Sequence, residues 1–191
     1  MSTTQPEPWL RGPAVAPATA GSTAGVPIHP LLQPAAHAFI MSIEDCEAAI
    51  PDLPSDLLWQ EHLGAASIGF HLRHLAGATD RLLTYARGET LTAEQKAYML
   101  NERKAGEPAP AAATLVDAWR AGVDRALAQL AATQESSLLD FRGVGRAQLP
   151  SNVLGLLFHA AEHASRHTGQ VVTTAKILMA ARQEAGAARL Q

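Results

Sequence analysis

At 191 residues, with 47% hydrophobic and 17% charged side chains, the chain can bury one sizeable core and is excluded from the intrinsically disordered class. A net charge of −3 and the lack of any lysine- or arginine-rich run argue against nucleic acid as a partner, whose binding rests on clustered positive charge. Cys46 is the only cysteine, no apolar run reaches the roughly 20 residues of a membrane span, and no signal peptide is legible, so a reducing cytoplasm is expected.

In chain order, residues 1–28 are rich in Pro, Ala, Thr, Gly and Ser and read as an extended or flexible segment, with Trp9 and Leu10 as the candidate anchor to the body. The first helix is expected from His29 or Pro30 to about Ile50, since prolines at 30 and 34 fit only near the first turn and Pro51 stops the pattern. The second starts at the N-cap Ser67 and ends at Gly88. A short helix over Ala93–Lys104 follows Thr92, with Gln95 as its capping-box partner. The third long helix covers Leu115–Ala132, behind Thr114. After a loop over Thr133–Leu149, in which a short extended piece is the most strand-like feature, the last helix covers Asn152–Arg182 and leaves residues 183–191 as a tail. Together these predict an all-α four-helix bundle over residues 29–182, with a crossover connection and an extra short helix between helices 2 and 3.

The chemistry concentrates in His159-Ala-Ala-Glu-His163-Ala-Ser-Arg-His167-Thr-Gly-Gln170. Positions four apart on a helix stack on one face about 6 Å apart, so two such imidazoles can grip one ion from adjacent turns. The last helix carries an aliphatic stripe through Leu156, Ala160, Val171, Thr174 and Leu178 that includes His163 and His167, which turns the histidines toward the bundle. His71 and His74, in the second helix, can supply a third nitrogen. The competing reading is a hydrogen-bonded polar core, and spacing alone does not choose between the pairs His159/His163 and His163/His167. A thermolysin-type site is excluded, because that chemistry needs Glu directly after the first His, whereas His159 and His163 are each followed by Ala. Glu162 is either an orienter of a ligand or a solvated side chain at the edge of the face.

The segments Ser67-Ile-Gly-Phe-His-Leu-Arg-His-Leu-Ala-Gly77 and His163-Ala-Ser-Arg-His-Thr-Gly-Gln170 resemble the paired motifs of the DinB-like superfamily, a group of metal-dependent helical bundles, and the resemblance covers about residues 29–182. Its second-helix pattern Leu-x-His-Leu is matched by Leu72-Arg73-His74-Leu75. Its last-helix pattern His-x-x-x-His-x-Gly-Gln is matched by His163, His167, Gly169 and Gln170. The resemblance implies His74, His163 and His167 as ligands of a divalent zinc, nickel, iron or manganese ion with open coordination positions. It leaves His71, His159, Glu162 and Gln170 as pocket or supporting candidates, and Gly169 as a point of close helix approach. Relatives that use low-molecular-weight thiols in S-transfer or isomerisation imply a metal-dependent S-transferase or hydrolase acting on a small electrophile, and a homodimer. Tyr85 is then a candidate proton donor at the pocket mouth, and Arg142 and Arg146 are candidate contacts to an anionic thiol or substrate; core packing and solvated arginines are the plainer readings. Iron-dependent oxygenation is disfavoured because the relatives that perform it carry Glu two residues after the second His, where this chain has Gly169. The reading from another class is a non-catalytic, metal-stabilised bundle serving as a stress-related binding or dimerisation module.

Overall fold

Local capping chemistry sets where the helices begin in the computed structural model, which describes residues 6–18 and 25–188. Helix α1 (Gln33–Ala49) follows a 3-10 turn over Pro30–Leu32; Pro30 and Pro34 occupy first turns, where a missing N–H leaves no bond unmade. The Ser67 hydroxyl accepts the Phe70 N–H at 3.2 Å and opens α2 (Ile68–Ala86), which ends before Gly88 at φ +80°. Thr92 and Gln95 exchange both bonds of a capping box at the start of the short α3 (Ala93–Asn101). Helix α4 spans Ala112–Ala132, and α5 spans Val153–Ala188, with the Asn152 side chain accepting the Gly155 N–H at 2.7 Å. The helix therefore continues through residues expected to form a tail after Arg182.

The four long helices form the predicted bundle, with α3 as the extra short helix. Both α4 and α5 pack along α1 and α2, which puts α1 opposite α2 and α4 opposite α5 across the core. The connections α1–α2 and α4–α5 thus cross the diagonals. Phe39, Leu72, Leu75, Trp119, Leu130, Leu157, Val171 and Leu178 fill the interior, and Phe39 meets Trp119 at a ring-centroid distance of 6.3 Å. Ala160, Ala161 and Ala164 are also buried, so α5 presents a thin wall to α1 and α2 and lets them approach closely.

Two small hairpins stand outside the bundle. Strands β1 (Val15–Ala16) and β2 (Val26–Pro27) pair antiparallel against α4, with Ala16 buried. The Gln33 side chain ties this segment down: its Oε1 accepts the Ala14 N–H, and its Nε2 donates to the Ala14 and Ile28 carbonyls. Arg11 adds a two-pronged ion pair with Glu44. The expected anchors Trp9 and Leu10 are instead exposed, and Pro8, Ala14 and Ala16 pack inward; small residues fit against α1 and α4 where an indole would not. Strands β3 (Phe141–Val144) and β4 (Leu149–Asn152) form the second hairpin in the loop before α5. Its sequence, with Gly143 and Pro150 inside the strands, lacks apolar alternation because most of its residues are exposed or half-buried. Pairing is supported from outside, where the Val153 and Leu154 N–H groups donate to the Asp140 and Leu138 carbonyls.

Candidate metal centre

Helices α2 and α5 each bring two histidines to their shared face. His71 and His74 are three apart on α2 and His163 and His167 four apart on α5, and both spacings stack side chains on adjacent turns. His71 is buried; the other three are half-buried. His74 Nε2 lies 3.0 Å from His163 Nε2, and His71 Nδ1 lies 3.0 Å from His167 Nδ1. The ring centroids of His74 and His163 both fall 4.5 Å from that of His167. One ligand nitrogen from each of His74, His163 and His167 lies within 4.8 Å of the others, which is the arrangement of three donors around one ion.

Burial disfavours the charged form of His71, His163 and His167. It pushes the His71 pKa down to about 4 and the His167 pKa down to about 3, with the neighbouring imidazoles, first His74, adding to both. Burial and then His74 lower His163 as well. Neutral imidazole is the form that binds metal, since its lone pair is free. Two nitrogens 3.0 Å apart either share a proton or face a common cation about 2.0–2.1 Å from each. His163 Nδ1 is buried with no hydrogen-bond partner, so the network of protein groups alone does not satisfy that ring. The donor set fits a bound divalent ion, with His163 presenting Nε2 toward His74.

The polar surroundings include residues that the sequence did not disclose. Glu102, which follows α3 and is 4% exposed, has one carboxylate oxygen 2.7 Å from His74 Nδ1 and the other 2.6 Å from the Arg81 guanidinium. Burial alone would raise its pKa, but the bonds to His74 and Arg81 outweigh burial and hold it below the usual carboxylate value. Phe70 stacks on His74 at a centroid distance of 5.3 Å and meets His71 edge-on at 5.1 Å, and the Arg103 guanidinium lies 4.5 Å from the Phe70 ring centre. Only the order Phe70-His71 on the helix hinted at this cover. Nothing in Asn101-Glu102-Arg103-Lys104 separates a buried carboxylate from a solvated one.

The remaining candidates lie elsewhere. The buried stripe of α5 centres on Ala164, Thr168, Val171 and Ala175, with His163 and His167 on its flank. His159 and Gln170 sit one step farther round the helix and are exposed, as is Gly169, where an added Cβ would meet nothing within 4 Å. Gly169 is therefore not a point of close approach. Glu162 pairs with Arg166 and with His159 rather than with a clustered imidazole. Tyr85, Arg142 and Arg146 line a separate cavity of about 540 Å³, together with Lys96 and Gln148. Tyr85 shares a face of α2 with His74 but lies about 16 Å farther along it at 1.5 Å per residue, which removes it from the mouth of the histidine cluster. Cys46 is buried against Thr168, and burial pushes its thiol up to about 12, so it is no nucleophile.

The model of the DinB superfamily matches residues 32–171. A crystal structure of a DinB-like protein from Bacillus cereus ATCC 10987, at 2.01 Å resolution, has the same fold, with a TM-score of 0.56 at 18% identity over 78% of this chain and 90% of that one. No curated protein matches the sequence. Among the described residues no helix is long and apolar enough to cross a membrane.

Proposed function

Since the chain belongs to the DinB superfamily, we propose that His74, His163 and His167 hold one divalent metal ion that activates a low-molecular-weight thiol, or water, for transfer to a small electrophile. The observation that carries this reading is three imidazole donors from two packed helices within 4.8 Å of one another. When bound, such an ion lowers the pKa of a thiol or water at its open positions, creating a nucleophile at neutral pH. The side chains of the chain do the rest. His71 holds His167 by the 3.0 Å contact between their Nδ1 atoms, and Phe70 walls off one side of the cluster from water. With Cys46 buried, the thiol has to come from outside the protein. We place this chemistry in the cytoplasm, where small thiols stay reduced, and on a small molecule rather than nucleic acid, in keeping with the net charge of −3.

Because the ligands bridge α2 and α5, the same ion would also staple those helices, and a purely structural ion is the reading from another class. Elemental analysis of untagged protein, never exposed to a nickel column, tests the site: one divalent ion per chain in wild type, lost in His74→Ala and His163→Ala. Full occupancy in His163→Ala would overturn the ligand set. Cobalt-loaded protein then separates the two roles. A visible spectrum that changes on adding 2-mercaptoethanol marks an open position and supports catalysis, and an unchanged spectrum marks a closed, structural ion.

A further inference from the structure

We infer that Glu102, held by Arg81, is the positioning residue of the metal centre: it fixes His74 as the Nδ1–H tautomer and so aims the Nε2 lone pair at the ion. The inference rests on the proposed ligand role of His74 and adds a function for the short helix α3, which otherwise has no part in the bundle core.

The argument begins with hydrogen-bond capacity. Glu102 Oε1 lies 2.6 Å from an Arg81 guanidinium nitrogen, so the carboxylate is ionised and can only accept. Its other oxygen lies 2.7 Å from His74 Nδ1, which therefore carries the proton and donates. The nitrogen left to offer a lone pair is then Nε2, the atom 3.0 Å from His163 Nε2 at the centre of the cluster. A carboxylate bonded to the far nitrogen of a ligating histidine sets the ring's orientation and strengthens its donor atom. Both oxygens of Glu102 are thereby occupied, and it does not belong to the group of donors that share the 4.8 Å span.

A dedicated seat on α2 keeps the carboxylate there. Arg73, Gly77 and Arg81 recur at four-residue spacing and share one face of the helix. Arg81 neutralises Glu102. At Gly77 an added Cβ would fall 2.5 Å from Glu102 Oε1 and 2.6 Å from the Tyr98 ring, so only glycine lets the end of α3 lie this close. Arg73 donates to the carbonyls of Asn101, Lys104 and Ala105, which pins the chain on both sides of Glu102, and the Tyr98 hydroxyl donates back to the Arg73 carbonyl. Glu102 and Arg81 are 4% and 8% exposed. A surface helix that merely covered the bundle would not need a buried carboxylate at its end.

The test uses the full chain, freed of metal, as wild type and Glu102→Gln. Long-range ¹H–¹⁵N correlation of the imidazoles reads the His74 tautomer, assigned by its loss in His74→Gln, and chelator competition reads zinc affinity. The expected result is an Nδ1–H tautomer in wild type that is lost or mixed in Glu102→Gln, with zinc binding about 10- to 100-fold weaker. An unchanged tautomer both in Glu102→Gln and in the paired replacement Arg81→Met with Glu102→Leu, which unlike Gln leaves no acceptor for Nδ1–H, overturns the inference, even if zinc binding falls. An affinity within twofold of wild type also overturns it. If Glu102→Gln does not fold, the paired replacement Arg81→Met with Glu102→Leu, which leaves no lone buried charge, is read in the same two ways. Should wild type bind no zinc, the proposed ligand set fails, while the tautomer in the metal-free protein still decides whether Glu102 sets His74.

Discussion

Two polar clusters draw on the same helix, α2, and they are built on opposite rules. From its first turn as far as Arg81, His71, His74 and Arg81 face inward, and each meets a partner from another element: His167, Glu102 and His163 from α5 and the end of α3. Toward its C-terminal end, Tyr85 borders an open cavity with Lys96, Arg142 and Arg146. There Arg146 is exposed, and Arg142 donates to the backbone carbonyls of Ala86 and Phe141. Water can replace any partner lost in the second cluster. In the first, removing the partner of His71, Arg81 or Glu102 strands a buried polar group, whose desolvation is then uncompensated. Charge alone would have favoured the second cluster as a site; it is burial and contact between donors from different elements that mark the first.

The largest expected effect breaks the first cluster at its charged end. Arg81→Met leaves the Glu102 carboxylate buried without its cation and should lower stability by about 3–5 kcal/mol, measured by urea denaturation. Adding Glu102→Leu should recover most of that loss, because the second charge goes too. A loss in Arg81→Met below about 1 kcal/mol, the range of an exposed pair, would mean that water reaches Glu102 and that the contrast between the clusters is overdrawn.

Much of this architecture is legible in the sequence. Ser67, Thr92 with Gln95, and the placement of Pro30 and Pro34 mark helix starts through local bonds that need no tertiary partner. The four-residue spacing of His163 and His167 within an aliphatic stripe carries the clustering of the imidazoles, since helical periodicity is itself local. Three features are not legible, each for a physical reason. Glu102 follows the last turn of a short helix among charged neighbours, and only the docking of α3 onto Gly77 buries it. Tyr85 and Gln170 share helix faces with the histidines, but a helical wheel discards distance along the axis, which separates Tyr85, and blurs the edge of a stripe, where Gln170 meets water. The β3–β4 hairpin lacks alternation, because its residues are exposed or half-buried and no buried face marks its strands.

Acid should act on the first cluster in the same direction with a smaller effect. His71 titrates at about 4 in the folded protein, against an ordinary value near 6.5, chiefly because it is buried. Between those values the unfolded chain binds the proton and the folded chain does not, so stability is full above about pH 6.5 and falls as the pH drops toward 4. The slope is at most about 1.4 kcal/mol per pH unit for this one group. Urea midpoints of metal-free protein at pH 7.5 and 5.5 should therefore differ more in wild type than in His71→Gln. Equal differences would show that His71 takes up its proton as readily when folded as when unfolded.

The smallest effects belong to the open cluster, and they sharpen the contrast from the other side. Arg146 has an exposed side chain, so Arg146→Ala should change stability by no more than about 0.5 kcal/mol. Arg142 differs from it in one respect: its Nε donates at 2.9 Å to the Ala86 carbonyl, at the last residue of α2. That carbonyl has no partner within the helix, so Arg142→Ala should cost about 0.5–1.5 kcal/mol, the net worth of one hydrogen bond. Neither substitution should move zinc affinity beyond twofold, because Tyr85, on the same cavity, already lies about 16 Å along α2 from His74. If Arg146→Ala weakened zinc binding tenfold, the two ends of α2 would be coupled, and the cavity would have to be counted as part of the metal centre after all.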